Sequence, residues 1–172
     1  MKKHTIAKPF YPFYTRALGF FALFGVYKDF GAVAIIWLLV VVVASDVGAF
    51  FGGKLLGKTP FTPTSPNKTL EGALIGVVLA SVLGSFVGMG KLSGGFFMAL
   101  LFSFLIALVA VFGDLYESYL KRKAGIKDSG KILPGHGGVL DRLDSMLFGA
   151  LGLHVLLYFL EVWKETAVFL GD

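Results

Sequence analysis

Residues 31–51 read GAVAIIWLLVVVVASDVGAFF, twenty-one consecutive residues whose only ionisable side chain is Asp46. A bilayer core about 30 Å thick is crossed by roughly 20 mostly apolar residues in helical form. The run is continuous rather than alternating, which argues for a helix rather than a barrel strand. It therefore predicts a membrane-spanning helix, and the rest of the chain repeats the pattern. Gly72–Met89 and Gly94–Gly113 meet the same requirement, and Ser145–Trp163 is nearly as clean. Phe10–Tyr27 is weaker, because Pro12 and Arg16 interrupt it. The expectation is an all-α, polytopic transmembrane protein of about five spans.

Bulk composition agrees. Of 172 residues, 56% are apolar and 16% charged, and the mean hydropathy is +0.78. A soluble domain carries about 25% charged residues, so this chain has too few to cover a water-facing globule. Cysteine is absent, which excludes disulfides and thiolate metal sites. The basic start (Met1, Lys2, Lys3) is followed by Pro9, Pro12 and Arg16 rather than an uninterrupted apolar core, so no cleavable signal peptide is expected.

The net charge of +5 has a membrane explanation and calls for no nucleic acid. With the amino terminus inside and five crossings, the inside segments hold Lys2, Lys3, Lys8, Arg16, Lys54, Lys58, Lys68, Lys121, Arg122, Lys123, Lys127, Lys131 and Arg142. Lys28, Lys91 and Lys164 remain outside. This bias sets the orientation, and two long polar segments, Gly52–Glu71 and Asp114–Asp144, then face the cytoplasm. Long connections rich in Gly and Pro usually carry function. A single domain over 1–172 is expected, with its functional segments at 45–72 and 113–145.

The chemistry-bearing residues lie in those segments. The helix from Gly94 meets no breaker before Gly125, so it is expected to leave the membrane. Asp114, Ser118, Lys121 and Arg122 then share one face. Asp141, Asp144 and Ser145 share another if a helix starts near Val139. Carboxylates and cations so arranged suit Mg²⁺, which takes one or two carboxylates plus substrate phosphates. Asp141 and Asp144 also suit a helix amino terminus on electrostatic grounds alone, and Lys121-Arg122-Lys123 suits an anionic lipid surface. Asp46, near the inner end of an apolar span, is a functional candidate because ionisable groups are costly there. Thr69 suits a helix cap, His154 a hydrogen-bonded packing role, and Gly76, Gly84 and Gly88 close helix contact.

Ser118 to Asp144 resembles the signature of the CDP-diglyceride synthetases, the phosphatidate cytidylyltransferases: Ser118, Lys121-Arg122, Lys127-Asp128, Pro134-Gly135-His136-Gly137-Gly138 and Asp141-Arg142-Leu143-Asp144. Ser45-Asp46-Val47-Gly48-Ala49-Phe50 and Ser65-Pro66-Asn67-Lys68-Thr69-Leu70-Glu71-Gly72 resemble two further blocks of that family. Phe50, Leu70 and Asn67 depart mildly from the usual residues. The family is longer, so the chain resembles a short member or a fragment lacking the usual amino-terminal helices.

The resemblance implies a reaction: the phosphate of phosphatidate attacks the α-phosphorus of CTP, yielding CDP-diacylglycerol and pyrophosphate. It implies Asp114, Asp141 and Asp144 as metal ligands for Mg²⁺, with a second cation left open, and Lys121 and Arg122 as catalytic charge-neutralising groups. It implies substrate contacts from Asp46, Ser65, Asn67, Lys68, Ser118, Lys127, Asp128, His136, Gly137, Gly138 and Arg142, with no proton transfer assigned to His136. The setting it implies is a bacterial inner membrane with the site on the cytoplasmic face, and homodimerisation stays open. The alternatives are a related CTP-dependent transferase acting on another lipid phosphate, and a catalytically silent membrane fragment.

Overall fold

The computed structural model describes residues 11–62, 65–90, 92–123 and 139–171. In chain order they form α1 (Tyr11–Leu56), β1 (Pro60–Thr62), β2 (Ser65–Thr69), α2 (Leu70–Gly88), α3 (Phe96–Lys123) and α4 (Val139–Gly171). Each of the four helices is long and apolar enough to cross a membrane.

A straight helix of 46 residues, the length of α1, would reach roughly 70 Å, more than twice the apolar thickness of a bilayer. Gly31 resolves the excess. It adopts φ 79° and ψ −175° inside α1, a backbone conformation open mainly to glycine. The packing shows that the halves double back on each other. Gly19 meets Leu147 and Gly25 meets His154, so the first half runs in the same direction as α4. Leu38 and Val42 meet Gly149, and Ser45 and Ser145 line one cavity, so the second half returns against α4. With α2, α3 and α4, five segments cross the bundle, including the weak first one.

Close backbone approach holds the middle of the bundle together. In lipid no hydrophobic force drives helix on helix, so small residues and interhelical hydrogen bonds carry association. Down the α1–α2 seam, Trp37 packs on Gly88, Val41 on Gly84, and the Ser45 carbonyl on Gly76. The three glycines expected at a helix contact are therefore in one. The seam extends to α3, where Trp37 stacks on Phe102 with centroids 6.5 Å apart and donates its indole N–H to Ser103 Oγ at 2.9 Å. Trp37, Leu38, Ile106, Leu153 and Leu157 fill the interior, while Phe21, Phe97 and Phe159 are largely exposed, as a lipid-facing surface requires.

The Trp37–Ser103 bond is buried, so losing the acceptor strands a donor. Ser103→Ala is expected to destabilise the folded bundle by about 1 kcal/mol, the middle of the range for interhelical bonds in membranes. Unfolding in mixed micelles measures this, and Trp37→Phe/Ser103→Ala should cost less than the sum of the single changes.

The polar segment between α1 and α2 is not a plain loop. Its strands pair antiparallel, Pro60 with Thr69 and Thr62 with Ser65, with an irregularity between them. This small sheet departs from the all-helical expectation. Its base is tied twice. Leu70 N–H donates to Thr59 O at 3.0 Å, and the Glu71 carboxylate accepts from the N–H groups of Lys58 and Thr59, both at 3.2 Å. Thr69 then caps α2, its hydroxyl accepting from Gly72 N–H at 3.2 Å, as expected of it.

Candidate active site

Where the second half of α1, the hairpin, α3 and the start of α4 converge, they enclose a cavity of about 550 Å³. From α1 come Val42, Ser45, Asp46, Ala49, Phe50, Gly53 and Lys54, spaced as one helical face. The hairpin and α2 contribute Phe61, Lys68, Thr69 and Ala73, and α3 contributes Ala110, Val111, Asp114 and Leu115. Ser145 of α4 completes the lining.

Two polar segments widely separated in sequence thus meet in one space. Their junction is an ion pair between Lys68 and Asp114. Both side chains are partly exposed, 42% and 34%, so the pair faces the cavity rather than a sealed core. Asp46 lies in the same lining, so the functional suspicion attached to an ionisable residue in an apolar helix acquires a location. Close helix contact forms the wall: a Cβ on Gly72 would lie 2.6 Å from the Ala49 carbonyl oxygen, and one on Gly76 2.4 Å from that of Ser45.

Other expected site residues divide into three groups. Ser118 is half-buried and Arg122 exposed, further along α3 and outside the lining. Ser65 and Asn67 are on β2, Lys121 on α3, and Asp141, Arg142 and Asp144 in the first two turns of α4. For these six the backbone is described but the side chains lie outside the described set. Lys127, Asp128, His136, Gly137 and Gly138 lie outside the described residues altogether. The helix expected near Val139 begins at Val139, which puts Asp141 and Ser145 four residues apart on one face.

Four polar lining groups escaped the sequence reading of the site: Ser45, Lys54, Thr69 and Ser145. Ser145 had a signal, its shared face with Asp141. Lys54 looked like an ordinary interfacial cation. His154 lies elsewhere, with an edge-to-face contact to Phe30 at 6.1 Å. Its Nδ1 is buried and has no hydrogen-bond partner among the described residues.

Besides Lys54 and Lys68, the polar side chains of the cavity lining carry oxygen: the carboxylates of Asp114 and Asp46 and the hydroxyls of Ser45, Ser145 and Thr69. That chemistry fits a hard divalent cation completing its shell with phosphate oxygens and water. Among the described residues no group of three or more His, Cys, Asp or Glu side chains forms a closed protein-only metal cage. The side chains of Asp141 and Asp144 lie outside that described set.

The cavity joins a carboxylate–lysine pair to a wall that bears hydroxyls, and comparison with known proteins gives the chain a family. Residues 1–160 match the model of the cytidylyltransferase family, and the chain belongs to that family. Over 161 residues it is 94% identical to the phosphatidate cytidylyltransferase of Helicobacter pylori strain ATCC 700392 / 26695, covering 94% of this chain and 60% of that protein. It is 45% identical over 131 residues to the Bacillus subtilis phosphatidate cytidylyltransferase, covering 75% of this chain and 49% of the relative. With the chloroplastic phosphatidate cytidylyltransferase 4 of Arabidopsis thaliana it shares 47% identity over 115 residues, 64% of this chain and 29% of that one. The chain thus spans about 60% of the length of the Helicobacter relative.

Proposed function

We propose that this chain transfers the cytidylyl group of CTP to phosphatidate, giving CDP-diacylglycerol and pyrophosphate, at a site on the cytoplasmic face of a bacterial inner membrane. The observation that carries the reading is the convergence of both polar segments on one cavity, through the Lys68–Asp114 ion pair. The relatives' names and the bias of Lys and Arg toward the hairpin end support it.

The chemistry asks for positioning more than for proton transfer. A phosphate monoester carries about −1.5 to −2 charges near pH 7, so its oxygen is already a nucleophile and needs no general base. That oxygen attacks the α-phosphorus of CTP. The bond to the β-phosphate breaks, and pyrophosphate leaves with the electron pair. The barrier is dominated by bringing two polyanions together, so the protein's work is neutralisation and in-line orientation.

Asp114, with Asp141 and Asp144 from the first turns of α4, would hold Mg²⁺, which when bound supplies charge neutralisation across the phosphates. Lys68, with its ammonium at the Asp114 carboxylate, then has phosphate oxygens within its compass. Lys121 and Arg122 follow Asp114 on the same helix and serve the outer phosphates. Ser45, Thr69 and Ser145 add neutral donors to the wall.

Pyrophosphate release from the purified chain in lipid nanodiscs tests the reading. Release should require CTP, Mg²⁺ and phosphatidate together, and nanodiscs of phosphatidylcholine alone should give none. Release with a different lipid phosphate but not phosphatidate would replace the substrate. No release with any lipid would leave the chain catalytically silent. Asp141→Asn should lower turnover on the order of a hundredfold or more without changing membrane insertion, and an unchanged rate would remove Asp141 from the site.

A further inference from the structure

The cavity wall is divided in a way that cytidylyl transfer alone does not explain. Asp46, Phe50 and Lys54 form a ridge at i, i+4 and i+8 on α1, spanning roughly 12 Å along the helix. Lys54 is in the last turn of α1, at the hairpin end of the bundle. Phe50 is 64% exposed yet lines the cavity, so one side chain belongs both to the site and to the outer surface. Beside it the outer face of α1 continues with Val43, Val47 and Phe51, all exposed. Inside, Val42, Ala49, Phe61, Ala110, Val111 and Leu115 make an apolar wall. The triphosphate of a nucleotide gains nothing from such a wall. An amphiphile does, because its chains remain against apolar surface while its headgroup reaches the polar groups.

Charge separates the two lining lysines. Lys68 is ion-paired with Asp114. Among the described residues no ion pair holds Lys54. A lysine near a helix end can lay its stem along apolar surface and present its ammonium at headgroup level. Lys58, four residues on, is also exposed but is not part of the lining. Its side chain represents an ordinary surface cation at the same end of the bundle.

From this geometry we infer that Lys54 receives the phosphate monoester of the lipid substrate, and that Phe50 forms the apolar sill past which the lipid moves between bilayer and cavity. The inference rests on the proposed cytidylyl transfer to phosphatidate and assigns the lipid half of that site. The monoester's second negative charge gives a lone ammonium its selectivity over zwitterionic lipids, whose phosphodiester carries a single charge.

The test compares Lys54→Gln, Lys54→Arg and Lys58→Gln in nanodiscs with varied phosphatidate mole fraction and varied CTP. Lys54→Gln should raise the apparent KM for phosphatidate on the order of tenfold, as expected for loss of one charge-assisted hydrogen bond. Its KM for CTP should stay within about twofold, Lys54→Arg should restore most of the loss, and Lys58→Gln should resemble wild type. A raised KM for CTP with an unchanged one for phosphatidate would give Lys54 to the nucleotide and overturn the inference. Equal effects of Lys54→Gln and Lys58→Gln would reduce it to surface charge, with the same consequence.

A binding measurement keeps this separate from turnover. In native mass spectrometry from detergent, wild type should retain phosphatidate in preference to phosphatidylcholine, and Lys54→Gln and Phe50→Ser should lose that preference. Retained preference in both variants would overturn the inference even if the enzyme is active. Lost preference supports it even if turnover fails, an outcome that counts against the proposed reaction alone.

Discussion

Asp114→Asn is expected to lower cytidylyl transfer on the order of 10³-fold, the scale for removing a principal electrostatic group from a preorganised site. The substitution is isosteric and leaves a polar side chain opposite Lys68, so the helix and its packing have no reason to change. What it removes is the negative charge that pairs with Lys68 and is proposed to hold the divalent cation. At 34% side-chain exposure, Asp114 faces the cavity, and an amide there leaves no buried charge unpaired. Protein yield and helical content should therefore match wild type while kcat collapses, and raising Mg²⁺ should restore only part of the rate. Lys68→Gln should cost less, because it removes a phosphate partner while leaving the carboxylate. Turnover of both variants, normalised to folded protein, measures the difference. Near-normal kcat in Asp114→Asn would remove this residue from the chemistry.

The second large effect is structural. Gly76→Val is expected to destabilise the bundle by about 3 kcal/mol or more and to abolish activity through the same displacement. A Cβ at position 76 would lie 2.4 Å from the Ser45 carbonyl oxygen and 2.9 Å from the Ala49 amide nitrogen. Both are backbone atoms of α1, which cannot swing aside as a side-chain tip can. The helices must separate, and Ser45 and Ala49 are cavity wall, so the site distorts along with the fold. Gly90→Ala is the matched control, since a Cβ there meets nothing within 4 Å. Thermal unfolding in detergent together with activity in nanodiscs should show both losses for Gly76→Val and neither for Gly90→Ala.

The spans were legible because lipid imposes one requirement on the whole of each segment, and Gly31–Phe51 satisfies it without help from its surroundings. Even the doubtful first segment forms its helix and turns back at Gly31, a residue already at the boundary of two apolar runs. The hairpin was not legible. Pro60, Pro63 and Pro66 punctuate its sequence, and proline at short edge strands reads as loop until pairing is seen. What pins the strands is the reach of Glu71 back to Lys58 and Thr59, a contact no periodicity announces.

The candidate site was legible by residue type and illegible by assembly. Asp46, Lys68 and Asp114 each stood out from their neighbours, as charge does in an apolar chain. That Lys68 reaches Asp114 follows only from how α2 and α3 pack. Lys54 was passed over because its sequence neighbours look interfacial, and the cavity on its inner side is completed by residues of the hairpin, α2, α3 and α4.

The measurement closest to the central claim follows the label from CTP. With the chain in nanodiscs containing phosphatidate and Mg²⁺, radiolabel in the α-phosphate of CTP should appear in the lipid phase as CDP-diacylglycerol. Label in the γ-phosphate should remain in water as pyrophosphate, and Asp114→Asn should move neither. Transfer of γ-label to lipid would mean that the cavity phosphorylates rather than cytidylylates, and absence of α-label from lipid under saturating substrates would contradict the account.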